Sequence, residues 1–159
     1  MCKIDKAQVR LSSLLFLTLI ICVSATTTIA QRNIEQAIDR DPVRELDAKH
    51  NLDVAWQAFR LKKAYKGVLL RFEETFAAYP EFSKMDEFLY IAGMSSYFLS
   101  DNKGKQKVDL KSNKEKFKFS PAKLKEDAVA YLSTLIEKYP QSQYKDEAEK
   151  TLSELKAVK

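Results

Sequence analysis

The chain has 159 residues, which is room for one domain. It is 45% hydrophobic and 31% charged, a globular balance with a heavily solvated surface, and three Gly with four Pro are too few for a turn-rich β-sandwich or barrel. Its net charge of +5 is unevenly spread, with nine lysines against three acids between Asp101 and Lys125, an uneven pattern for a nucleic-acid binder.

Lys3, Lys6 and Arg10 form a basic start, residues 11–23 (LSSLLFLTLIICV) carry no charge, and Val23-Ser24-Ala25 and Thr28-Ile29-Ala30 both read as cleavage sites. This pattern predicts a secretory signal peptide over residues 1–30, followed by a flexible lead over 31–41. Cleavage is favoured over an uncleaved anchor because the strongly apolar part is short and ends in small polar residues. In either case the remainder is exported. Both cysteines, Cys2 and Cys22, lie in this segment, so the exported part is expected to form no disulfide and to carry no thiolate metal site or cysteine nucleophile. Ile20-Ile21 precede Cys22, where bacterial lipoproteins have a small residue before the modified cysteine.

Residues 42–159 read as helical. Asp41-Pro42, an N-cap residue before a first-position proline, opens a helix running towards Leu61 through Leu46, Val54, Ala55, Ala58 and Phe59. A second helix, about Lys63 to Ala78, places Tyr65, Val68, Leu69, Phe72, Phe76 and Tyr79 on one stripe and ends at Pro80. Ser83 with Asp86 predicts a capping box for a third helix, about Lys84 to Leu99, apolar nearly all round and therefore expected between two others. Residues 100–120 show no period and predict an exposed basic loop. Ser120-Pro121 starts a fourth helix with the stripe Leu124, Ala128, Tyr131, Leu132, Leu135, Ile136 and Tyr139, which Pro140 stops. Ser142 is then expected to cap a last helix bearing Tyr144, Ala148, Thr151, Leu152 and Leu155.

A shift of 60 residues superposes Phe76-Ala77-Ala78-Tyr79-Pro80 on Ile136-Glu137-Lys138-Tyr139-Pro140, and Asp86-Glu87 on Asp146-Glu147. Ala128, Leu132, Leu135 and Pro140 have the spacing of the second helix of a tetratricopeptide repeat, whose period is about 34 residues. The surplus of about 26 is near the length of the lysine-rich segment, so that segment is expected as an insertion inside one repeat. The predicted fold is all-α: tetratricopeptide-like antiparallel hairpins, about 2.5 repeats, in a short right-handed α-solenoid.

The run Ala64-Tyr65-Lys66, Arg71-Phe72-Glu73, Tyr79-Pro80, Asp86-Glu87, Leu89-Tyr90 and Gly93 resembles the repeats of the BamD family of outer-membrane assembly lipoproteins, and residues from Ala128 through Tyr139-Pro140-Gln141-Ser142 to Ala148 repeat the likeness. The chain departs from that family at Cys22 and in its smaller number of repeats. The resemblance implies a periplasmic, outer-membrane-associated scaffold that binds other envelope proteins, barrel-assembly components among them. YbgF-type coordinators of the Tol-Pal system, with similar Tyr-Pro-ended repeats, are the competing resemblance, and a generic tetratricopeptide adaptor is the plainer one.

Little else points to chemistry. One histidine, His50, cannot build a metal cluster, and Gly67, Gly93 and Gly104 lie too far apart for a phosphate loop. Asp86-Glu87 and Asp146-Glu147 each follow a serine at a helix start, where negative charge favours the helix dipole. The expectation is therefore a non-enzyme without cofactor, metal or nucleic-acid partner. Tyr90, Met94 and Tyr97, spaced by 4 and 3, form with Trp56 a candidate peptide-accepting groove, with burial between helices as the equal alternative. Lys103, Lys105, Lys107 and Lys111 form a candidate electrostatic loop for acidic partners or a membrane surface, against the plainer reading of a solvated loop. So short an array also predicts dimerisation or docking onto a larger partner.

Overall fold

The computed structural model describes residues 40–109 and 111–157, and every regular element among them is helical. The expected signal peptide and nearly all of the lead lie outside the described residues. Helix α1 spans Pro42–Gln57 and continues as a π-helical turn, Ala58–Lys62. Then follow α2 (Tyr65–Ala78), α3 (Met85–Ser100), the short α4 (Asn113–Lys118), α5 (Pro121–Lys138) and α6 (Lys145–Ala157).

Local signals set most boundaries. Asp41 Oδ1 accepts the N–H groups of Val43 and Arg44 at 2.9 and 3.4 Å, so α1 starts at Pro42. Its π-helical extension closes at Lys63, a non-glycine residue at φ 47°, with the Ala64 N–H on the Ala58 carbonyl at 2.9 Å. Ser120 Oγ accepts the Lys123 N–H at 3.3 Å and opens α5 behind Pro121. Proline 80 and proline 140 have no N–H to continue α2 and α5.

The 60-residue repeat recurs bond for bond in the backbone. Tyr79 donates to Thr75 as Tyr139 does to Leu135, both at 2.8 Å. Phe82 donates to Tyr79 and Met85 to Phe82, matched by Ser142 to Tyr139 and Lys145 to Ser142. The two Tyr-Pro turns are thus one structure used twice, each feeding a new helix.

Two rows result. Helices α1, α3 and α6 form the first; α2 and α5 form the second. The most extensive helix contact joins α3 to α5, although residues 101–120 separate them in sequence. Gly93 makes the approach: a Cβ there would stand 2.6 Å from the Leu132 side chain. Phe72 of α2 reaches both partners, meeting Phe88 of α3 edge-on at 5.6 Å and Tyr131 of α5 at 4.8 Å between ring centroids. Nearly all of α3 is buried, as its sequence predicts. The fold is all-α and tetratricopeptide-like, with the basic segment inserted between the two helices of one hairpin.

Five expectations are corrected. Leu46 is 68% exposed and Phe76 46% exposed. On α1 the inward stripe is Ala48-Leu52-Ala55, which turns Leu46 outward, and on α2 Thr75 takes the inward place beside Phe72. Ser83 caps nothing: α3 begins after Lys84 without a side-chain cap, and Ser83 donates its hydroxyl and N–H to the Glu45 carboxylate of α1. Ser142 does not cap the first turn of α6; its hydroxyl donates to Asp86 of α3 at 2.7 Å and accepts the Tyr144 N–H. Each serine ties one first-row helix to the next. The basic segment is also no free loop. Gly104, at φ 93°, lets Lys105 N–H reach the Lys63 carbonyl at 3.0 Å, Gln106 accepts from the Gly67 N–H, and α4 is held by Lys66–Glu115 and Lys118–Glu73 pairs beside the buried Phe119.

Candidate functional site

Along the first row the aromatic side chains meet in sequence order of the helices. Trp56 near the end of α1 lies 6.4 Å from Tyr90 of α3 and 6.2 Å from Tyr144 at the entry to α6, and Tyr90 stacks on Tyr144 at 4.5 Å and 14°. Tyr90 sits just over one turn into α3 and Tyr144 just before α6, which brings the two rings face to face where successive first-row helices begin. Phe59 of the π-helical turn extends the cluster through Tyr65 and Phe98 to Tyr97.

Charged groups frame the rings. The Arg60 guanidinium lies 3.9 Å over the Trp56 ring, and the indole N–H donates to Glu87 Oε1. Burial, then the Glu147 carboxylate, pushes the Tyr90 hydroxyl well above the usual tyrosine range; burial and Glu87 raise Tyr144 likewise. Both phenols therefore stay protonated and serve as hydrogen-bond groups. The arrangement can stack, hydrogen-bond and pair charge, which suits recognition of a polypeptide.

Of the four predicted groove residues, Tyr90 and Met94 are each only 6% exposed. They do not form an open stripe. Tyr144 at the entry to α6 covers Tyr90, and Thr151 of α6 covers Met94, its hydroxyl 3.6 Å from Sδ. Trp56 and Tyr97 remain half-buried, and Tyr97 hydroxyl donates to Glu154 of α6 at 3.4 Å. Arg60, Glu87 and Tyr144 join the face although the sequence assigned none of them to it. The spacing of Tyr144 from Tyr90 crosses two helices and an insertion, so no local period reveals it.

The four loop lysines are dispersed. Lys103 pairs with Asp101 at 3.1 Å and lies over Tyr97 and Phe98, and Lys107 donates to the Asn102 carbonyl at 2.6 Å. Lys105 and Lys111 side chains are exposed. His50 is exposed on α1. A separate cleft of about 440 Å³ between α1 and α2 is lined by Arg44, Ala48, Asn51, Thr75, Ala78 and Tyr79. Among the described residues no group of three or more His, Cys, Asp or Glu converges as a metal site, and no helix is long and apolar enough to cross a membrane.

A family model described as YfiO, outer membrane lipoprotein, matches residues 23–158. The chain belongs to this family. No curated protein and no solved structure matches it. The family match spans every described helix, so both rows and the inserted α4 fall within a YfiO-type chain.

Proposed function

We propose that this YfiO-family chain is an exported, non-catalytic scaffold resembling BamD, which binds other envelope proteins in the periplasm during outer-membrane protein assembly. The observation that carries the reading is the Trp56–Tyr90–Tyr144 aromatic face with Arg60 and Glu87 at its edge. Trp, Tyr and Arg are the residue types that dominate the energetics of protein interfaces, and here they are held by the fold rather than on mobile loops. Tyr90 supports the platform from beneath, while Trp56, Arg60, Tyr97 and Tyr144 offer the accessible edge.

Photocrosslinking from the Trp56 and Tyr97 positions in intact cells tests it. Recovery of barrel-assembly components is expected. Replacing Trp56 with Ala should weaken that capture by roughly thirtyfold, the loss typical of a hot-spot residue. Recovery of Tol-Pal components instead would transfer the chain to the coordinator reading. Acylation of Cys22, which the family's description raises and Ile20-Ile21 argue against, is read by the mass of the N-terminal peptide.

A further inference from the structure

Helix α4 has two unlike sides. Inward, Glu115 pairs with Lys66 at 2.7 Å and accepts the Asp109 N–H at 2.7 Å, Lys118 pairs with Glu73, and Phe119 is buried against the body. Outward, Lys114 and Lys116 are exposed, and Phe117 is 88% exposed, the most exposed large apolar residue among those described. The helix is too short and too polar to have been placed there by its own apolar content. Its inner contacts fix the direction in which Phe117 points.

We infer that α4 is a membrane-surface contact, in which Phe117 enters the headgroup region of an anionic phospholipid bilayer while Lys111, Lys114 and Lys116 meet its phosphates. Charge complementarity selects this occupant. Residues 101–125 carry nine lysines against three acids, two of those acids, Asp101 and Glu115, being already paired with lysines. Lys111, Lys114 and Lys116 form no ion pair among the described residues. A polypeptide helix would want a long apolar groove without charges along it. Beside Phe117, however, the short cleft between α4 and α5 is edged by the charged Lys116, Lys123 and Glu126 together with Asn113 and Ser120. A lone aromatic projecting among lysines is the composition of an interfacial contact, where the ring partitions into the headgroup layer and lysines hold the anionic surface.

At about fivefold per lysine near such a surface, three lysines give on the order of a hundredfold in partition, before the ring contributes. That is enough to draw the chain reversibly onto concentrated anionic vesicles and to orient one already held at a membrane. The inference is independent of what the aromatic face of the first row binds.

The test uses the full chain with Phe117→Trp, compared with the unaltered chain, whose one tryptophan is Trp56. Vesicles with brominated acyl chains report which indole enters the bilayer. In vesicles rich in phosphatidylglycerol the added indole should shift to the blue and be quenched. High salt, or Lys111, Lys114 and Lys116 replaced together by Gln, should abolish both changes. No change in the anionic vesicles would overturn the inference, as would equal quenching in pure phosphatidylcholine. A blue shift without vesicles that grows with protein concentration would assign Phe117 to self-association and overturn it too.

Discussion

At Gly93 two effects of opposite sign meet. Replacing a mid-helix glycine by alanine ordinarily gains up to about 1 kcal/mol, because the unfolded backbone loses freedom. Here the new methyl would lie 2.6 Å from Leu132, itself fully buried, and overpacking of a tight core costs about 1–3 kcal/mol. The clash outweighs the propensity, so Gly93→Ala should lower stability by about 1–2 kcal/mol in urea unfolding. Adding Leu132→Val should recover part of that loss, and a strictly additive double variant would refute the contact. Tyr131 gives a second residue-scale test. Burial first, then the Asp127 and Glu73 charges, pushes its hydroxyl up to about 12. A folded pKa above the unfolded value of about 10 means that the native state holds the proton more tightly. Its contribution is complete below about pH 10 and is lost as pH rises through about 12. Circular dichroism should show stability falling across that window, less steeply in Tyr131→Phe.

The elements show what local sequence does and does not encode. Asp41-Pro42, Ser120-Pro121 and the two Tyr-Pro stops mark helix ends because caps and proline act within a few residues, and the structure places those boundaries within about two residues of the expected ones. Ser83 and Ser142 have the composition of caps yet serve as ties between helices, since Glu45 and Asp86 come into reach only when the first row assembles. Leu46 and Phe76 fit an apolar stripe on paper, but which side of the stripe is covered depends on neighbours distant in sequence. Helix α4 escaped notice for a plainer reason: six residues are under two turns, too few for a period to emerge. Its tether is tertiary. Phe119→Ala should therefore cost about 3 kcal/mol and release α4, read as faster amide exchange over residues 105–118 with α2 and α5 still protected.

Across the whole molecule the decisive signal was the 60-residue repeat, which correctly ordered the helices into paired units because the same turn recurs with the same hydrogen bonds. The aromatic face was only partly legible. Trp56 meets Tyr90, and Met94 and Tyr97 follow along α3, but Tyr144 and α6 cover Tyr90 and Met94, and no sequence period says where that helix will settle. That helix buries Ala148, Thr151 and Leu152 and is charged over most of its outer side. A chain ending at Tyr139 should uncover Tyr90 and Met94 and either associate or lose cooperative unfolding, as measured by sedimentation and thermal melts. An unchanged monomer with the same melting temperature would count against α6 as the cover over α3.

The insertion between α3 and α5 also bears on the order in which the chain becomes native. Joining α3 to α5 closes residues 101–120, whereas the Tyr-Pro turns close only 79–84 and 139–144. Closing the longer span costs about 1 kcal/mol more in chain entropy. Helices α1 to α3 would then gather early and wait with the apolar back of α3 uncovered until α5 arrives. That interval is when a chaperone would have most to hold, and pulsed hydrogen exchange should find α2 and α3 protected ahead of α5.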